Sequence, residues 1–106
     1  KLVVSVDDNN NIPESFSVSE FYPNPFNPTS KCDFYIPYES KVKVSLFNSL
    51  GKNISDVNEN TYSAGTYVYK FDGTGLASGV YIVKFEGISL IDSKKFTLSK
   101  KIILQK

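Results

Sequence analysis

The sequence predicts an all-β fold, an antiparallel two-sheet β-sandwich of about seven strands. Three observations predict it. Apolar and polar residues alternate with period two through most of the chain. No window carries a 3.6-residue apolar stripe. The eight Phe and seven Tyr fall mainly in the alternating runs, where aromatic rings suit a pleated, half-buried surface. The chain has 106 residues, the length of one domain. Such a chain buries roughly two-thirds of its unfolded surface, enough for one sandwich core without staples.

Residues 1–14 read as a linker or the end of an upstream region, and residues 15–106 as the sandwich. Within the first part, Leu2–Val6 reads as a strand or an upstream end, and residues 7–14 are polar. Phe16–Phe21 alternates and reads as the first strand of the domain. Then comes Tyr22-Pro23-Asn24-Pro25-Phe26-Asn27-Pro28. Its three prolines cannot donate to a ladder and force an extended or turning path. One use for such a run is a rigid loop that covers a sheet edge, with Phe26 plugging the sandwich end.

Lys31–Ile36 sets Cys32, Phe34 and Ile36 against Lys31, Asp33 and Tyr35, and Pro37 ends it. Lys41–Phe47 sets Val42, Val44 and Leu46 against Lys41, Lys43 and Ser45. Asn48–Gly51 turns the chain, Lys52–Val57 returns it, and Asn58–Gly65 reads as a loop. Thr66–Phe71 places Tyr67, Tyr69 and Phe71 on one face, before the turn signal Asp72-Gly73-Thr74-Gly75. Gly51 and Gly79 are expected at positive φ. Val80–Glu86 sends Tyr81, Val83 and Phe85 to the core, with Tyr81 placed like a tyrosine corner. Leu90–Lys94 and Lys95–Ile103 supply a last strand or hairpin, with Phe96 and Leu98 facing away from Lys95 and Thr97.

Composition removes whole classes of chemistry. There is no His, hence no ordinary general base, triad member or imidazole metal ligand. Asp7-Asp8 is the only adjacent carboxylate pair and reads as linker solubility. Asp56, Glu59 and Asp72 could line a loop end and hold calcium, but no Asp-x-Asp-x-Asp-Gly spacing supports it. Asp72–Gly75 lacks the Gly-Lys-Ser/Thr of a phosphate loop. Cys32 is the only cysteine, so no intrachain disulfide forms, and its place on the apolar face reads as a small buried hydrophobe. No enzyme, metal site or cofactor is expected.

All twelve basic residues are Lys, so bidentate Arg reading of phosphate or bases is excluded and no nucleic-acid partner is expected. The net charge is +1, yet residues 93–106 hold five Lys and no acid. Those lysines fit an acidic partner or the protection of an edge strand. No apolar stretch approaches the ~20 residues of a membrane span. The N-terminus lacks the apolar core of a secretion signal, which leaves open one further upstream.

With these runs in place a family resemblance is visible. Ile12–Thr29, Ile-Pro-Glu-Ser-Phe-Ser-Val-Ser-Glu-Phe-Tyr-Pro-Asn-Pro-Phe-Asn-Pro-Thr, closely resembles the opening of the type A C-terminal sorting domains of the type IX secretion system. Val44–Ile54 resembles the family's Gly-containing hairpin. Gly65-Thr66-Tyr67 and Gly75–Tyr81 resemble its later signatures, and Ser93–Lys100 its closing Lys-Lys-x-x-x-x-Lys strand. The chain departs from the pattern at Cys32, at Phe47, where a Tyr is usual, and in Lys101–Lys106. Lys1–Asn11 has no counterpart.

The resemblance implies an immunoglobulin-like sandwich that acts as a non-catalytic secretion signal. It implies a covalently linked upstream cargo that reaches the periplasm first. An outer-membrane translocon then reads the domain, and a sorting and attachment protease cleaves it or anchors the cargo. The destination is the cell surface or the extracellular space. The candidate recognition residues are Tyr22, Pro23, Asn24, Pro25, Phe26, Gly79, Tyr81, Lys94, Lys95, Lys100 and Lys101. Two other readings fit the residues alone. One is a structural or adhesive module of a larger surface protein. The other is a carbohydrate-binding module using Tyr22, Tyr35, Tyr38 and Tyr62.

Overall fold

The computed structural model describes residues 15–106 and, within 55–58, the backbone only. The readings of Leu2–Val6 and Asp7-Asp8 lie outside the described residues. Among the described residues seven strands form: β1 (Ser17–Val18), β2 (Thr29–Ile36), β3 (Ser40–Asn48), β4 (Asn53–Tyr62), β5 (Gly65–Asp72), β6 (Gly79–Ser89) and β7 (Lys95–Leu104). They build two sheets, ordered β1-β2-β5 and β4-β3-β6-β7. Every pairing between strands is antiparallel. This is the expected sandwich.

Inward positions alternate as the pattern requires. Cys32, Phe34 and Ile36 of β2 meet Val42, Val44 and Leu46 of β3 and Tyr81, Val83 and Phe85 of β6 in one buried cluster. Phe85 is fully buried at its centre. The rings of Phe16, Phe34 and Tyr69 pack against it at 5.7–6.2 Å between centroids. At roughly 25 cal/mol per Å² of apolar area, such rings dominate the energy that holds the sheets together. The Tyr81 hydroxyl donates to the Ala77 carbonyl at 2.6 Å. That bond ties the start of β6 to the preceding crossing, the geometry of a tyrosine corner. Gly51 and Gly79 have φ of +85° and +156°, as turn positions that favour Gly do.

Three elements differ from the sequence reading. Phe16–Phe21 is not one strand. The register to β2 changes between Val18↔Phe34 and the bridge Tyr22↔Lys31, so one extra residue sits on the first chain. Ser19 stabilises this bulge, its N–H donating to the Asp33 carbonyl and its hydroxyl accepting from the Asp33 N–H. The irregularity lets Phe16, Val18 and Phe21 all be buried, which strict alternation forbids.

Asn58–Gly65 is not a loop. β4 continues to Tyr62, and only Ser63 and Ala64 connect it to β5 in the other sheet. β4 is the outermost strand of its sheet, and the facing sheet has one strand fewer. Asn53, Glu59 and Asn60 therefore stay exposed while the backbone still pairs with β3. Finally, Leu90–Lys94 is the β6–β7 turn rather than a strand. The Ser89 N–H donates to Lys94 O and the Leu90 N–H to Glu39 O, leaving Leu90 and Ile91 exposed.

Candidate functional site

The candidate residues gather around β7. Prolines 23, 25 and 28 keep Tyr22–Pro28 out of either sheet's regular ladder. The segment lies instead along the outer edge of β7, away from β6. Phe26 forms a parallel bridge with Leu104. Its N–H donates to the Ile103 carbonyl, and its carbonyl accepts from the Gln105 N–H, both at 2.9 Å. The Asn24 side chain imitates a neighbouring strand. Its Nδ2 donates to the Lys101 carbonyl (3.2 Å), and its Oδ1 accepts from the Ile103 N–H (2.9 Å). The Ser30 hydroxyl donates to the Pro23 carbonyl and holds the loop from behind.

Phe26 is the plug. It is buried and meets Phe71 edge-on at 5.6 Å. Gly73 closes the same end, because a Cβ there would lie 3.1–3.3 Å from Leu104, Phe26 and the Pro28 carbonyl. The adjoining turn is held by Asp72, which accepts from the Thr74 hydroxyl and N–H. Those bonds, the hydroxyl's first, hold the Asp72 carboxyl below its ordinary range.

Gly79 and Tyr81 pair with Leu104 and Ile102 across the β6–β7 ladder. Tyr81 is buried, as Phe26 is, so both shape the site from beneath. Tyr22 stands 74 % exposed beside it, and Pro23, Asn24 and Pro25 are exposed as well. The structure thus brings Tyr22–Phe26, Gly79, Tyr81, Lys100 and Lys101 to one end of β7. Lys100 is half-buried and reaches Glu20 at 2.8 Å. Lys94 and Lys95 lie at the other end of the strand, exposed beside the β6–β7 turn.

Other candidates do not assemble. Of the calcium candidates, the Asp56 side chain lies outside what the structure describes, Glu59 faces Lys41 at 4.0 Å on β4, and Asp72 ends β5 and binds Thr74. Among the described residues no cluster of three metal-ligating side chains forms. Tyr62 turns inward and meets Phe34 and Tyr67 edge-on, while Tyr35 lies half-buried on the outer side of β2. Burial, and secondarily the Asp33 charge, pushes the Cys32 thiol up to about 12. It is a packed hydrophobe in this core. Burial raises Tyr69 to about 12 as well. The residues that sequence reasoning missed are Ser19, Glu20 and Ser30, which hold the loop through contacts 7 to 80 positions apart. No short-range signal marks them.

The fold and this edge-capping loop define a class, an immunoglobulin-like sandwich whose N-terminal proline segment closes its last strand. The model of the secretion system C-terminal sorting domain family matches residues 20–105. That span runs from the bulge before the proline loop to the end of the clamped edge. The chain belongs to this family, the C-terminal sorting domains of type IX secretion. No curated protein sequence matches the chain. As a type IX sorting signal, the domain implies an attached cargo exported to the cell surface or beyond. Among the described residues no helix is long and apolar enough to cross a membrane.

Proposed function

We propose that the domain is a non-catalytic signal read as a folded surface by the outer-membrane translocon. A sorting protease then cuts the chain before the sandwich, and the cargo is released or anchored outside. The observation that supports this reading is the joining of two separate motifs into one surface. Tyr22–Phe26 and Lys100–Ile103 are far apart in sequence, yet Asn24 bonds directly to β7. A reader that grips this surface tests both motifs at once and rejects an unfolded chain. We propose the cut within Lys1–Asn11, the segment that has no counterpart in the family.

The test fuses residues 1–106 to a periplasmic reporter in a host that carries the system. Reporter in the medium or on the surface, shortened by the mass of the domain, is the expected result. Intact reporter held in the periplasm would falsify the proposal.

A further inference from the structure

Among the described residues, the outer edge of β7 is closed over only half its length. The carbonyls of Lys101 and Ile103 point outward, since they bond to Asn24 and Phe26. In an antiparallel ladder outward groups recur at every second residue. The N–H and C=O groups of Lys95, Thr97 and Ser99 therefore also point outward. Among the described residues nothing pairs with them. This is an open template for another strand.

Its surroundings define what fits. On the core side of the open stretch Phe96 and Leu98 are only half-buried. Phe96 stacks on Phe16 at 4.0 Å. A cavity of about 420 Å³ opens beside them, its lining including Phe16, Tyr38, Phe96, two lysines, Lys94 and Lys95, and one carboxylate, Asp92. On the solvent side stand Lys95 and, past the open stretch, Lys101, both exposed. A strand added here would bring every second side chain over Phe96 and Leu98 and the others toward the lysines.

We propose that the Lys95–Ser99 edge receives an extended partner segment by strand addition, with apolar residues alternating with acidic ones. The lysines repel a second copy of the same edge and attract the acidic strand, so specificity comes from charge while the backbone supplies adhesion. This rests on the export reading above and names the chemistry of the segment that reads the domain.

Thr97→Pro is the deciding variant. Its N–H points outward, so proline removes no internal ladder bond, but it forbids an added one. In solution, a short peptide of alternating valine and glutamate is titrated into the full chain and followed by amide NMR. Shifts confined to Lys95–Ser99, lost in Thr97→Pro and not produced by a valine–lysine peptide, are expected. Equal response to both peptides, or concentration-dependent self-association through this edge, overturns the proposal.

In the reporter host, Thr97→Pro should lower export about two- to ten-fold, the effect of forbidding one interchain hydrogen bond, with the melting temperature kept. Export of folded Thr97→Pro at the wild-type level overturns strand addition while leaving the secretion reading intact. Failure of the wild-type fusion to leave the periplasm strikes the secretion reading instead. If Thr97→Pro unfolds, the double variant Lys95→Glu/Lys101→Glu decides. Loss of export and a switch to the valine–lysine peptide support the proposal, and unchanged export and peptide choice overturn it.

Discussion

The two halves of β7 share one neighbour, β6, yet their outer edges are managed in different ways. Residues 101–105 are closed by a loop of the same chain, with Phe26 and the Asn24 side chain standing in for a strand. Among the described residues, 95–99 keep their outward groups unpaired, with lysines at Lys94, Lys95, Lys100 and Lys101 as their guard. Between the halves sits the Lys100–Glu20 ion pair. Partly exposed pairs of this kind contribute up to about 1 kcal/mol. The difference teaches that one strand can be locked at one end for stability and left accessible at the other. Proline makes the lock, because it cannot extend the ladder itself. Lysine guards the open half by making like edges repel.

The largest effect is expected from breaking the lock. Phe26→Ala removes a buried ring and should cost about 3–5 kcal/mol, a large share of a small domain's stability, read by urea unfolding. In hydrogen exchange it should release Ile103 and Gln105 toward the rate of the open half. If the Phe26→Ala midpoint stays at the wild-type value, the plug is not what holds the edge.

The open half is probed next. A Cβ at Gly87 would collide with the Phe96 ring. Gly87→Ala must therefore swing that ring off the sheet, at a cost of about 1–3 kcal/mol. Retention of the Phe16–Phe96 stack in the variant, seen as unchanged ring NMR shifts, would contradict this packing.

A sharper and smaller contrast comes from Asn24→Ala. It deletes both side-chain bonds to β7 and should cost roughly 1–2 kcal/mol. In the parent protein the Ile103 amide should exchange far more slowly than those of Thr97 and Ser99. In Asn24→Ala that gap should narrow. Equal exchange of the three amides in the parent would erase the distinction between the halves.

The smallest effect concerns the turn beneath the plug. Asp72 is held below its ordinary range by Thr74, so the folded state favours its carboxylate. That contribution is present above about pH 3.9, the ordinary carboxylate value, and is lost as pH falls through the depressed value. Thr74→Val should raise the Asp72 midpoint in a ¹³C carboxyl titration without changing the fold at neutral pH. A midpoint that does not move would show that the hydroxyl is not the cause.

Much of this was legible in advance, and the exceptions share a cause. Alternation placed Cys32, Phe34, Ile36, Val42, Val44 and Leu46 inside, because side-chain direction in a strand is a local property. Gly51 and the Asp72–Gly75 turn were legible for the same reason. The sequence pattern ends β4 at Val57, because Asn58, Glu59 and Asn60 look like loop residues. An outermost strand can be polar on both faces, and only its backbone pairing with β3 reveals it. The bulge at Ser19–Phe21 was hidden, since a register change is defined by the partner strand.

The proline run marks the limit between the two kinds of information. From the sequence alone came the sandwich class, the family resemblance, the inward residues, and the statement that Tyr22–Pro28 cannot be an interior strand. Each depends on neighbours a few positions apart. Only the tertiary structure decided which edge the run covers, that Asn24 meets Lys101 and Ile103, and that the cover stops short of Ser99. Those facts join residues about 80 positions apart. They follow from how two sheets close on one core, a condition that no local stretch of chain contains.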